Sequence, residues 1–117
     1  MMKNILVTGA CGFIGFHLSA YLCKNGFRVF GIDNFSCNDK KLLKSRLQIL
    51  KRYKSFKFQK IDLSKNFEKK IKGQFYAIIH LAAKPGVRES EKKSQIYFKN
   101  NITAFYNIIE FAKKRTS

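Results

Sequence analysis

Four short apolar segments recur along the chain, separated by longer and more polar stretches. Continuous apolar runs are typical of strands buried on both faces, and strict alternation is typical of strands with one covered face. The segment that begins at Phe56 alternates, and the other three are nearly continuous. We therefore predict strands near residues 4–8, 28–32, 56–61 and 76–81.

The stretches between these strands carry apolar residues at helical spacing. One helix follows the first strand and ends at Asn25-Gly26, because glycine suits the left-handed position after a helix. A second lies within residues 35–53, a short one starts at Ser64, and the last covers about residues 95–114. The apolar stripes of the three longer helices are Ile14, Leu18, Tyr21 and Leu22; Leu43, Leu47 and Leu50, with Leu42, Ile49 and Tyr53 beside them; and Phe98, Ile102, Phe105, Ile109 and Ala112. Lys and Arg fill the other face of the second helix, which predicts a solvated surface there.

The alternation of strands with helical stretches predicts an α/β fold with a parallel sheet. Right-handed crossovers leave few topologies, and we predict the doubly wound strand order 3-2-1-4 with helices on both faces. In that order the first and fourth strands flank the switch point, so the loops that follow them line the ligand crevice.

Three glycines spaced Gly-x-x-Gly-x-x-Gly connect the first strand to the first helix. Gly9 would allow the sharp turn, Gly12 the close approach of a pyrophosphate, and Gly15 the close packing of the helix. An anion would then bind the free N–H groups at the positive end of the helix. Phe16-His17 stand where a nucleoside-triphosphate P-loop has Lys-Ser/Thr, which excludes that site.

With Thr8 before it and Phe13-Ile14 inside it, this turn resembles that of the short-chain dehydrogenase superfamily, in its extended nucleotide-sugar branch. The resemblance covers all 117 residues and is closest to the UDP-glucuronate 4-epimerases. It rests on the stretches Gly-Phe-Ile-Gly-Phe-His-Leu, Gly-Ile-Asp-Asn and Leu-Ala-Ala-x-x-Gly-Val-Arg, and on the basic helix after Asp33. It implies a Rossmann-type fold and bound NAD that takes hydride from C4 of a UDP-sugar and returns it to the other face.

An acidic residue ends the second predicted strand, where a carboxylate accepts hydrogen bonds from the adenosine ribose. That residue, Asp33, would repel the 2′-phosphate of NADP, so we predict NAD as the cofactor. Asn34 either assists or only shapes the turn, and Asp-Asn as a plain turn is the alternative.

Further site residues follow from the resemblance. It implies that Asp62 and Leu63 contact the adenine, although Asp62 could equally help to start the helix from Ser64. The residues expected at the cofactor are Gly9, Gly12, Phe13, Ile14, Gly15, Asp33, Asn34, Asp62, Leu63, Leu81, Ala82, Ala83 and Asn101, and Arg88 is expected at the substrate. His80, inside an apolar strand, is predicted to be a hydrogen-bonded core histidine and not a catalyst.

The family's catalytic Ser/Thr and Tyr-x-x-x-Lys would follow a fifth strand. Tyr53 and Lys57 have the right spacing, but they bridge a helix end and the amino edge of the sheet, away from the crevice. We therefore expect residues 1–117 to be the N-terminal part of an NAD-binding Rossmann domain, inactive alone, with no catalytic residue and no substrate domain. The alternatives are another nucleotide-sugar dehydratase or decarboxylase, or a non-catalytic nucleotide-binding module.

The formal net charge of +17 also suggests nucleic-acid binding. However, 19 Lys and only 5 Arg are spread along the whole chain, and base contacts favour Arg. A lysine-rich surface, or positive potential that attracts a nucleotide sugar, fits better. Three cysteines lack metal-ligand spacing, no run is long enough to span a membrane, and the first strand leaves no room for a signal peptide. We expect a cytoplasmic protein without metal, membrane or nucleic-acid partners; homodimerisation of the full-length form is left open.

Overall fold

The computed structural model describes residues 2–35, 39–82 and 87–116, with the side chains of residues 87–100 excepted. The strands are β1 (Asn4–Thr8), β2 (Arg28–Asp33), β3 (Phe56–Lys60) and β4 (Ala77–His80). The helices are α1 (Phe13–Lys24), α2 (Lys40–Leu50) and α3 (Val87–Arg115), and a single 3-10 turn spans Glu68–Lys70. All strand pairs are parallel, in the order β3-β2-β1-β4. The predicted fold class and strand order are confirmed.

The central strand, β1, is buried because both faces of the sheet are covered. Ile5 and Val7 pack into one core with residues of α1 and α2, and Leu6 packs into a second core with residues of α3. This alternation of successive side chains is the pleat of a strand between two helical layers. The sheet is therefore doubly wound, as its parallel crossovers require.

Local signals set the ends of the helices. Asp39 caps α2 by accepting a hydrogen bond at Oδ1 from the N–H of Leu42, 3.0 Å away. Gly26 follows the C-cap of α1 with φ +87°, the left-handed conformation predicted for it. Leu43 and Leu50 are fully buried on the predicted face of α2.

The face that α3 turns toward the core differs from the predicted stripe. Ile108 and Phe111 are buried, whereas Ile102 and Phe105 are more than half exposed. The helix also starts at Val87, about two turns earlier than predicted. Both faces of its C-terminal half are apolar, so periodicity alone did not distinguish the covered face from the exposed one.

Candidate functional site

A sharp turn between β1 and α1 lies beside the end of β4. Gly9 has φ +71°, and a Cβ there would lie 2.9 Å from both the N of Ala82 and the carbonyl carbon of Leu81. Glycine is required at this position by its left-handed backbone and by the close approach of the next strand's exit. The turn is thereby seated at the predicted switch point between β1 and β4.

The backbone N–H groups of this turn fall into two sets. Those of Gly9 and Ala10 donate to the carbonyl of Ile32, that of Cys11 donates to Asp33 Oδ2, and that of Gly12 donates to the carbonyl of Gly9. Intrahelical bonding begins with the N–H of Phe16, which donates to the carbonyl of Gly12. In the described part of the chain, nothing accepts a hydrogen bond from the N–H groups of residues 13–15. These three donors form the positive end of α1, and helix ends of this kind are suited to binding anions.

The glycines at the two ends of this donor group differ in what surrounds them. A Cβ on Gly15 would overlap the carbonyl oxygen of Gly9, so this glycine lets α1 pack against the turn itself. A Cβ on Gly12 would meet, among the described atoms, only the carbonyl oxygen of Gly9, at 3.2 Å. Gly15 is thus demanded by the fold, whereas the space beside Gly12 is open to a ligand.

Large apolar side chains are exposed on two of the donor residues and at the end of β4, which lies beside the turn. Phe13 and Ile14 are 68% and 65% exposed at the start of α1, and Leu81 is 37% exposed at the end of β4. Exposed apolar side chains near polar donors are typical of a ligand site.

Asp33 lies at the end of β2, and both of its carboxylate oxygens accept hydrogen bonds from backbone N–H groups. Oδ2 accepts from the N–H of Cys11 at 3.0 Å, and Oδ1 accepts from the N–H of Phe35 at 2.9 Å. The second bond holds Phe35 at φ +58°, a left-handed conformation that is rare for an aromatic residue. A carboxylate has about four acceptor positions, so Asp33 retains capacity for ribose hydroxyls in addition to its part in the turn.

Thr8 joins the carboxyl ends of β1 and β4. Its fully buried Oγ1 lies 2.9 Å from the N of Leu81, 3.1 Å from the N of Ala82 and 2.6 Å from Nδ1 of His80. Because the two N–H groups use both lone pairs, the hydroxyl proton must go to His80. His80 is therefore a hydrogen-bonded, half-buried residue, as predicted, and desolvation lowers its pKa.

A polar contact that the sequence analysis missed reaches the turn from α2. Arg46 is half-buried, and its Nη1 donates to the carbonyl of Cys11 at 3.0 Å. The basic face of α2 was predicted to be only a solvated surface. That prediction is wrong for Arg46, because this residue contacts the glycine turn. Burial, aided by the charge of Asp33, raises the pKa of the Cys11 thiol to about 12, and Arg46 and Lys51 oppose that shift.

Comparison with known proteins agrees with this geometry. The profile of the NAD dependent epimerase/dehydratase family matches residues 5–117. The chain belongs to this family. An uncharacterized protein of Methanocaldococcus jannaschii is 43% identical to it over an alignment of 121 positions, which covers 96% of this chain and 36% of that protein. A UDP-glucuronate 4-epimerase of Thermodesulfobacterium geofontis is 40% identical over 116 residues, with the same two shares.

A solved structure of this epimerase/dehydratase family shares the fold. It is a mutant UDP-glucuronic acid 4-epimerase from Bacillus cereus, in complex with UDP-4-deoxy-4-fluoro-glucuronic acid and NAD. It is 38% identical, with a TM-score of 0.84 over 94% of this chain and 36% of the other. The chain therefore spans about a third of the length of the relatives that it matches. In the described ranges, no helix combines the length and the apolar character needed to cross a membrane.

The pair expected at the adenine of this NAD dependent family occupies a turn. Oδ1 of Asp62 accepts from the N–H and the hydroxyl of Ser64, at 2.9 and 2.7 Å. These bonds close a turn and not a helix, so the helix predicted from Ser64 is wrong, and helical backbone begins only at Glu68. Leu63 is buried in the core, and its carbonyl accepts from Nδ2 of Asn107 at 2.8 Å. The adenine contacts of Asp62 and Leu63 remain predictions.

The remaining predicted residues differ in how much the structure describes of them. Asn34 is half-buried directly after Asp33, and Asn101 is half-buried on α3. Ala83 and the side chain of Arg88 lie outside the described residues. Tyr53 packs against a core and precedes β3, with Lys57 exposed on that strand, so the pair lies at the amino edge of the sheet, as expected.

Proposed function

We propose that this chain binds NAD through its adenosine and pyrophosphate, as the cofactor-binding part of a nucleotide-sugar epimerase. The observation that carries the proposal is the group of free N–H donors at residues 13–15, next to the Asp33 carboxylate. A pyrophosphate matches the donors, and ribose hydroxyls match a carboxylate that keeps acceptor capacity.

The open space beside Gly12 supports this fit, because a Cβ there would occupy the place that a bound phosphate needs. NAD supplies a reversible hydride acceptor when it is bound. The chain's own residues bind and orient it: the start of α1 holds the anion, Asp33 holds the ribose, and Thr8 fixes the exit of β4 beside the turn. Phe13, Ile14 and Leu81 would exclude water from the bound cofactor.

We further propose UDP-glucuronate as the substrate of the whole enzyme, with C4 as the reacting carbon. The named relatives and the 38% identical structure support this choice. The catalytic Tyr-x-x-x-Lys pair would lie in sequence beyond these 117 residues, after a fifth strand placed next to β4. In the described ranges, β4 pairs with β1 alone, so that edge has room for another strand.

Cofactor choice is the first test. Calorimetry of the protein should give a much higher affinity for NAD than for NADP, since Asp33 repels a 2′-phosphate. Asp33→Asn keeps the size of the side chain and one of the two acceptors that the turn uses, and it removes the charge. The ratio of the two cofactor affinities is the readout, because a loosened turn would weaken the binding of both. A hydrogen bond to a charged group contributes about 1.5–3 kcal/mol. In this variant the ratio of the affinities for NAD and NADP should therefore fall roughly tenfold or more. Equal affinities for the two cofactors in the parent protein would contradict the assignment of Asp33.

Product analysis of an enzyme that contains this chain and its continuation separates the alternatives. A 4-epimerase converts UDP-glucuronate to UDP-galacturonate without added reductant, whereas a decarboxylase releases carbon dioxide and a dehydratase releases water. A non-catalytic module binds NAD and forms no product. The 117-residue chain alone should form none, because the described residues hold no general base at the crevice. Turnover by the chain alone would make Tyr53 and Lys57 candidates again.

A further inference from the structure

Arg46 lies on a different helix from the glycine turn, yet it bonds to the backbone of that turn. Its Nη1 is 3.0 Å from the carbonyl oxygen of Cys11, and its guanidinium carbon is 6.0 Å from the ring centroids of both Phe13 and Phe16. The guanidinium thus touches the residue just before the N-cap of α1 and lies near two rings of its first turn. Leu50 and the partly buried Leu47 pack α2 into the core. Arg46 lies 35 positions from Cys11, so the contact is long-range and not a local turn.

The peptide unit between Cys11 and Gly12 is held at both ends. Its carbonyl accepts from Arg46, and its N–H donates to the carbonyl of Gly9 at 3.0 Å. The preceding N–H, that of Cys11, donates to Asp33. A carboxylate from the end of β2 and a guanidinium from α2 therefore fix successive backbone groups of one turn. Hydrogen bonds to charged groups are the stronger ones, so this arrangement restricts the turn more than neutral bonds would.

That peptide unit leads directly into the three free N–H donors. Its orientation sets the direction in which the first turn of α1 points its N–H groups. Donors that already point at the anion do not have to be ordered when it binds, and this preorganisation raises affinity. A residue that fixes this peptide therefore acts on the ligand without touching it.

We propose that Arg46 is a positioning residue that locks the glycine turn in its anion-binding conformation. This inference rests on the proposed function for its effect on NAD, but not for its effect on the turn. The competing role is that Arg46 contributes only long-range positive charge, like the other basic residues of α2. The two roles differ in what happens to the turn when no ligand is present.

The first measurement follows the turn through its own buried thiol. Cys11 is fully buried in the turn. Cys23 is buried in the core on the α1 and α2 side of the sheet and reports global opening. Labelling of the protein with N-ethylmaleimide, assigned to each cysteine by mass spectrometry, gives the ratio of the two rates. Arg46→Ala should raise the rate at Cys11 relative to Cys23 about tenfold. Loss of the cation alone would raise the pKa of Cys11 and slow its labelling, so acceleration reports opening of the turn.

Two further variants define the cause. Arg46→Lys keeps the charge and a donor for the carbonyl of Cys11, so it should restore part of the protection. Arg52→Ala removes the same charge from an exposed residue just beyond α2 and should leave the ratio unchanged. A ratio in Arg46→Ala no higher than in the parent would overturn the proposal, whatever the absolute rates.

Calorimetry with NAD and NADP completes the test. Arg46→Ala should lower the affinities for both cofactors by the same factor, about tenfold, because both cofactors contain the pyrophosphate that the turn binds. Loss of NADP binding alone would instead indicate direct contact with the 2′-phosphate and would contradict the positioning role. If the parent binds neither cofactor while the labelling ratio rises, the lock on the turn stands and the proposed function fails. If NAD binds and the ratio is unchanged, the proposed function stands and the lock fails.

Discussion

The hydroxyl of Thr8 donates a hydrogen bond to Nδ1 of His80, 2.6 Å away, and this bond fixes the tautomer of the histidine. Since Thr8 Oγ1 accepts from Leu81 and Ala82, its proton is the one left for His80. The imidazole is then neutral, with its own proton on Nε2. One buried side chain thereby couples β1, β4 and the loop that borders the candidate site.

Removing this hydroxyl should destabilise the fold. Thr8→Val is close in size, but it leaves the N–H of Ala82 and Nδ1 of His80 without partners, while Leu81 keeps the Thr8 carbonyl at 3.2 Å. Unsatisfied buried polar groups cost about 1–3 kcal/mol each, so we expect a loss of roughly 2 kcal/mol or more in urea unfolding. Thr8→Ser retains the hydroxyl and is the control. Similar losses in both variants would show that the methyl group, and not the hydroxyl, matters here.

His80 predicts a pH dependence of stability. Desolvation lowers its folded-state pKa below the ordinary 6.5, so the unfolded chain binds more protons in the interval between the two values. Stability should be complete above about pH 6.5 and decline as the pH falls through the interval down to the lowered pKa. We expect a lower free energy of unfolding at about pH 5.5 than at about pH 7.5. Carboxylates contribute little to this difference, because their ordinary pKa values lie below this interval.

Two glutamine variants test that pH effect. His80→Gln removes the titrating group but keeps an acceptor for Thr8, so its unfolding free energy should change less between the two pH values. His17→Gln replaces the exposed histidine of α1 and should retain the dependence of the parent. If the slope persists in His80→Gln, another group is responsible.

Two glycines of the turn should separate binding from folding. Gly12→Ala should leave the fold intact, because its backbone has φ −68° and ψ 172° and, among the described atoms, its Cβ meets only the Gly9 carbonyl oxygen, at 3.2 Å. A shift of a few tenths of an ångström relieves that tight contact. The variant should nevertheless bind NAD about tenfold or more weakly, since the methyl group occupies the place of the phosphate. Gly15→Ala should destabilise the fold by roughly 2 kcal/mol or more, because its Cβ overlaps the Gly9 carbonyl. Thermal unfolding and calorimetry on both variants check this. Normal NAD binding by Gly12→Ala would show that this glycine does not face the phosphates.

The sequence by itself determined the sheet and the position of the turn. Apolar runs locate β1, β2 and β4, and an alternating pattern locates β3. Ile5, Leu6 and Val7 of β1 are all apolar because both faces of that strand are covered. Parallel strands joined by right-handed helical crossovers then leave few strand orders, and the predicted one is the order observed. Gly26 adopts the left-handed backbone that its position predicted, and Gly9 makes the predicted sharp turn with a left-handed φ, since local sterics decide such conformations.

Only the tertiary structure decided which side chains meet across the fold. Phe105 is exposed and Ile108 is buried, although both lie in the same apolar helix, because the contact of α3 with the sheet selects the covered face. Asp62 closes a turn and does not start a helix. The link from Arg46 to Cys11 spans 35 positions, and the link from Thr8 to His80 spans 72. Period and propensity act over a few residues, whereas these contacts depend on how separate elements pack, so they lay beyond the reach of the sequence pattern.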